Sequence, residues 1–224
     1  MLEKNMKQVN QLMTRIYRLC TVAILALVVC SWTGIFEFGQ EYTMIILIAE
    51  LIIAVTPGIL IRFLPDRLLR DYMLFMAAVF IGILGTNNHI GVYITYVLVP
   101  ILGCLYFEPE LVIKTGIFSY LVMVAAVYIN SAGTYDVLYL GRSRNQMFVA
   151  YTLGFTIEYV IVMAVLYDLV KRAKKMMEER YSAEEENRMK TDMWKMITSI
   201  SIITFQPLIL MKTDMWKMIT GSSI

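Results

Sequence analysis

The chain has 224 residues, 58% of them hydrophobic and 17% charged, with a formal net charge of +2 and a mean hydropathy of +0.64. A soluble globular domain holds roughly 45–50% apolar and about 25% charged residues, so the composition points away from that class and predicts a polytopic membrane protein. A charge this close to balance implies no nucleic-acid partner. Cys20, Cys30 and Cys104 all fall in apolar runs without CxxC or Cys/His spacing, which excludes a disulfide framework and leaves them as small buried hydrophobes.

The first sixteen residues are polar and carry Lys4, Lys7 and Arg15, and they read as a cytoplasmic segment. The apolar stretch behind them is of spanning length, with no small-residue cleavage site before Trp32, so it reads as an uncleaved first transmembrane helix. A bilayer core needs about 20 mostly apolar residues per helix. Six segments meet or approach that length: 17–36, 43–64, 69–85, 90–107, 111–129 and 147–170. The fold class is therefore all-α, with a six-helix membrane domain over 17–170. The third segment is the shortest, and its loss would invert everything after it.

Positive charge tests the count. With the N-terminus inside, the cytoplasmic flanks hold Lys4, Lys7, Arg15, Arg18, Arg62, Arg67, Arg70, Lys114, Lys171, Arg172, Lys174 and Lys175, twelve against Arg142 and Arg144 outside. That bias requires all six spans and puts both termini in the cytoplasm. The loops are short except 130–146, which carries Gly133, Tyr135, Asp136, Tyr139 and Gly141. No folded extracellular domain fits, so a stimulus is read within the membrane, at its surface, or by that loop. Trp32, Tyr42, Tyr93 and Tyr151 lie at the outer ends of spans and suit an interfacial aromatic belt.

Two carboxylates interrupt the apolar runs, Glu50 in the second span and Glu158 near the middle of the sixth. A charged acid at that depth costs about 2.5–3.5 kcal/mol unless it is paired or protonated, so both are expected to face the bundle interior. They are either a proton or ligand site between these helices or structural glue, bonded to a neighbouring Thr or Tyr. Pro57-Gly58 and Pro100 each free a backbone carbonyl and are expected to bend their helices. His89 is the lone histidine, in the turn Thr86-Asn87-Asn88-His89. It reads as an exposed turn residue, with pH sensing as the alternative, and it cannot form a metal site alone.

From Lys171 the composition changes. Residues 171–190 lack Gly and Pro and are dense in Lys, Arg, Glu, Ala and Met, all good helix formers. Glu184 with Arg188, and Glu186 with Lys190, are spaced i,i+4 in the favourable order. The sixth span is expected to continue as one cytoplasmic rod. Met189, Met193, Met196 and Ile200 then fall at 4-3-4 spacing, the apolar seam of a two-stranded coil or four-helix dimer bundle, which predicts a homodimer.

That seam sits in Met189-Lys190-Thr191-Asp192-Met193-Trp194-Lys195-Met196-Ile197-Thr198. The decapeptide resembles the run-in to the phosphoacceptor histidine of bacterial sensor histidine kinases. There a charged linker leads into a pattern such as Lys-Ser/Thr-Asp/Glu-Phe/Met, then Val/Ile/Met-Ser/Thr, then His-Glu. Glu186-Asn187-Arg188 fits the linker, and the resemblance covers about 15 residues. It implies the N-terminal sensor region of such a kinase in a bacterial inner membrane, with a response regulator as partner through an output domain. Ser199 stands where the phosphoacceptor His is expected, no Glu follows, and the ATP-binding domain is absent from the sequence. The chain is thus expected to be truncated and inactive as a kinase, with no catalytic residue, cofactor or metal.

The same ten residues recur at 211–220, offset by 22 positions. Exact repetition is not what structural selection preserves, and two copies are too few for a solenoid. Residues 199–224 therefore read as an aberrant duplicated tail with poor order. The organisation expected is a cytoplasmic segment (1–16), the membrane sensor domain (17–170), a signalling and dimerisation helix (171–198) and this tail. The leading function is a membrane-embedded input module of a two-component system. The alternatives are a small-molecule transporter or substrate-binding membrane protein, with Glu50 and Glu158 lining one site, and the sensor region of a diguanylate cyclase.

Overall fold

The fold comes from a computed structural model, which describes residues 2–35, 39–87 and 93–220, with 199–220 described by backbone alone. His89 lies outside the described residues. The chain is 88% helical, with no strand among the described residues. It divides into two compact units, Met1–Lys174 and Lys175–Ile224.

The first unit begins with α1 (Leu2–Trp32), which starts well before the apolar run. The polar opening segment is helical because it carries a buried stripe: Met6, Val9, Asn10, Met13, Thr14 and Tyr17 recur every three or four residues, the period of one helix face. Helix α2 (Gln40–Leu60) holds Pro57 in its last turn, so a bend there redirects that turn alone. Helix α3 (Asp66–Gly85) opens after the extended Pro65, with Asp66 in its first turn, where an acid complements the helix dipole. It packs on both α1 and α2.

The fourth predicted span is not one long helix. Its described part is a 3-10 turn (Tyr93–Val97) followed by α4 (Leu98–Cys104). Pro100 is the physical reason. It has no N–H to give the carbonyl four residues back, at Tyr96, so α-helical bonding cannot run through this point. The Ser119 hydroxyl supplies the missing donor, reaching Tyr96 O at 2.6 Å. Helix α5 (Pro109–Asn130) starts with proline where no helical donor is needed.

Two sets of bonds fix the ends of this bundle. At one end Arg70 of α3 meets Glu108, just before α5, at 2.7 Å. At the other, Asn130 Nδ2 donates to Gly85 O at 3.1 Å, joining the last residues of α5 and α3. Helices α3 and α5 therefore run in the same direction, and the chain between them returns the full length of the bundle despite its short helices.

After α5 come the short α6 (Tyr135–Tyr139) and the long α7 (Arg144–Thr220). Among the described residues five helices are long and apolar enough to cross a membrane: residues Asn5–Trp32 of α1, then α2, α3 and α5, and the Arg144–Thr198 part of α7. The third span, the least secure by length, is the best packed of these, with half of its apolar window buried. In the second unit the backbone is helical to Thr220, through Pro207.

Candidate functional site

Glu50 sits on the face of α2 that meets α1, and only 1% of it is exposed. Thr21 Oγ1 donates toward its Oε1 at 3.3 Å and also lies 3.1 Å from Tyr17 O. One hydroxyl proton is therefore shared between two acceptors. Among the described residues Glu50 makes no ion pair. A carboxyl enclosed in this way can hold a proton or accept a donor in exchange for Thr21.

Glu158 is placed differently. It is exposed on α7, beside a groove of about 330 Å³ whose walls include Val97, Met123, Phe155 and Tyr159. The two carboxyls expected at one interior site are not brought together. Helix α2 packs on α1 and α3, while α7 joins the bundle through α5. The neighbouring Tyr159 takes the inward face of α7, which turns Glu158 about 100° away from it.

The α5–α7 contact is built from few groups. Tyr159 Oη donates to Gly116 O at 2.9 Å, and the Tyr120 and Thr156 hydroxyls bond at 2.9 Å. The terminal methyl of Met163 fills the notch left by the missing side chain of Gly116. At the start of α7 the Arg144 guanidinium lies 4.0 Å over the Tyr128 ring and donates to Tyr128 O. The 130–146 loop is braced by Arg142 and Asp136 at 3.8 Å and exposes Leu138, Tyr139 and Leu140.

A second polar cluster, at the Arg70 end, was not singled out from the sequence. Arg70 donates to Asp71 Oδ1 at 2.8 Å and Glu108 Oε2 at 2.7 Å, and its guanidinium lies 5.7 Å over the Tyr106 ring. Tyr106 Oη donates to Asn10 Oδ1, whose Nδ2 donates to Asp66 O. Three parts of the chain (α1, α3 and the turn before α5) meet in one network. Arg70 entered the sequence reading only as a flanking charge. The acids around Pro109, at Glu108 and Glu110, were the available signal.

Of the other predicted residues, Trp32 is exposed, as an interfacial anchor would be, and Tyr93 lies outside the described side chains. Tyr42 does more than anchor, for its hydroxyl is 2.8 Å from Ile83 O and 3.0 Å from Leu84 O at the end of α3. Cys20 is exposed, and Cys30 and Cys104 are half-buried, so none is the enclosed core residue expected. They lie on outward or edge positions of apolar helices. In the second unit Met189, Met193 and Met196 are exposed in the single chain. The side chains of Ile200 and Ser199 lie outside the described residues. Among the described residues no group of three His, Cys, Asp or Glu is arranged to hold a metal ion.

No protein-family model, no curated protein and no solved structure matches this chain.

Proposed function

We propose that the chain is the membrane-embedded input module of a two-component histidine kinase, a homodimer that passes a stimulus through its last membrane helix to a cytoplasmic output. The observation that carries this is the run in α7 from the apolar span, through the charged residues 171–190, into the decapeptide at 189–198.

Six crossings, with both termini in the cytoplasm of a bacterial inner membrane, fit the placement of charge. The parallel course of α3 and α5 supports the sixth crossing, since the short segment between them must return the chain to the starting side. Exposed Met189, Met193 and Met196 form the stripe that a second copy would cover. The transport alternative needed Glu50 and Glu158 at one site, and they stand apart. In this reading Glu50 is the candidate sensing group, and the sparse α5–α7 contact is where a change in bundle packing reaches α7.

The test is a chimera joining residues 1–198 to the phosphoacceptor and ATP-binding domains of an intact sensor kinase. One to seven alanines are inserted between Lys175 and Glu184, and autophosphorylation is measured in membrane vesicles. Helical transmission predicts that output changes with insertion length and returns at seven residues, two helical turns. Output indifferent to insertion length would remove the signalling reading.

A further inference from the structure

The Arg70 cluster forms one wall of a cleft of about 260 Å³ between α3, α4 and the start of α5. Its lining is graded along the helices. Asp71, Glu108, Glu110 and Lys114 lie toward the end of the bundle. Phe75 and Phe118, one to two turns deeper, stack with ring centroids 4.6 Å apart. A cleft that is charged at one end and aromatic at the other has the polarity of an amphiphile. Its volume is below the roughly 300–1,000 Å³ of pockets that enclose a whole ligand, so it takes a headgroup and the first carbons of a chain.

The charges specify the headgroup. Arg70 is committed to Asp71 and Glu108, and its side chain is 9% exposed, so its charge is already met. Those three groups carry a net charge of −1. Glu110 and Lys114 are spaced i,i+4 on α5, yet among the described residues neither makes an ion pair. The rim therefore offers a surplus of carboxylate and, one turn along α5 from Glu110, one ammonium without an ion pair, Lys114. An anionic head would meet the carboxylates. A quaternary ammonium has no N–H to donate to them. A primary ammonium next to a phosphate satisfies both sides.

Resting on the membrane reading above, we propose that this cleft binds an aminophospholipid of the surrounding bilayer. The lipid ammonium lies against Glu108 and Glu110, its phosphate against Lys114, and one acyl chain along Phe75 and Phe118. A bound lipid would tie the start of α5 to α3, and α5 is the helix that holds α7.

The test uses the full chain and two readouts. Flotation with vesicles of phosphatidylcholine and phosphatidylethanolamine first establishes membrane insertion. Native mass spectrometry then counts lipids kept by the purified protein after exchange into an equimolar mixture of phosphatidylethanolamine, phosphatidylcholine and phosphatidylglycerol. The expected result is about tenfold preference for phosphatidylethanolamine, what one charge-assisted hydrogen bond contributes, lost in the double variant Glu110→Gln, Lys114→Gln. Both positions are exposed, and retained helicity by circular dichroism confirms that the variant folds. Equal retention of the three lipids, preference for the anionic one, or a preference that survives in the variant would each overturn the lipid site and leave the membrane reading standing. Failure to float with vesicles would overturn the membrane reading and this proposal with it.

Discussion

Helices α3 and α7 are both long, apolar and of spanning length, yet half of the apolar window of α3 is buried against 6% for α7. Helix α3 packs on α1, α2, α4 and α5, and its ends are held by Arg70–Glu108 and by Asn130 on Gly85 O. The apolar part of α7 leans on α5 through Thr156, Tyr159 and Met163, with Ile157, Val160, Ile161 and Val165 exposed. Similar hydropathy therefore hides opposite roles. One helix is the fixed post of the bundle, and the other is held by few enough contacts to shift when α5 moves. Low contact density is what places an element at the mobile end of a protein's stability range.

This contrast can be broken at several points, the post being the more costly to disturb. Arg70→Ala leaves Glu108 and Asp71 facing each other without their cation and removes the packing on Tyr106. After allowing for the partial exposure of both acids, the loss is about 2–3 kcal/mol, seen as a lower Tm by circular dichroism in detergent. The α5–α7 distance from paired spin labels should hold.

Glycine substitutions separate the helices more sharply. A methyl on Gly82 collides with Val122 Cγ1 at the α3–α5 contact, a branched side chain with little room to yield. Gly82→Ala is expected to cost about 1–2 kcal/mol. Gly116→Ala meets the flexible end of Met163 instead, so stability should fall by less than about 1 kcal/mol while the α5–α7 spin-label distance increases. Equal stability losses at the two positions would erase the distinction between post and mover.

Ser119→Ala removes the donor that the Pro100 break leaves Tyr96 O depending on. A buried carbonyl without a partner costs about 1–2 kcal/mol, and Pro100→Ala in the same chain should recover part of it. Tyr159→Phe removes one hydrogen bond to Gly116 O, for about 0.5–1.5 kcal/mol, and loosens α7 with little effect on α3, as hydrogen exchange would report. Least of all, Lys190→Ala breaks an exposed pair with Glu186 at 2.6 Å and should change helicity by no more than about 0.5 kcal/mol.

Much of the fold was legible because long apolar helices are written as runs, and runs do not depend on distant partners. The helices behind the first, second, third, fifth and sixth predicted segments follow from length and hydropathy alone. The buried stripe from Met6 to Tyr17 was also readable as a three-and-four spacing, but the polar residues between its members made residues 1–16 read only as a polar cytoplasmic segment. Pro100 marked a bend in the fourth segment, but hydropathy could not show that the described part of that segment would be reduced to a 3-10 turn and the short α4. Within the candidate site, Glu50 could be found as a carboxyl in an apolar run. Its separation from Glu158 could not, since both runs are apolar all round and give no phase.

The amino-acid sequence by itself determined the helical class, the apolar segments, the charge asymmetry between their ends and the charged helix that follows, because each depends on neighbours within a few residues. Tertiary structure decided which carboxyl is enclosed and which is exposed. It also decided that Ser119 completes the backbone at Tyr96 and that Arg70, Glu108 and Asn10 form one network. Those outcomes depend on which helix faces meet, and α1 is joined to the turn before α5 by two hydrogen bonds between residues 96 and 100 positions apart, Tyr106 to Asn10 and Asn5 to Leu105.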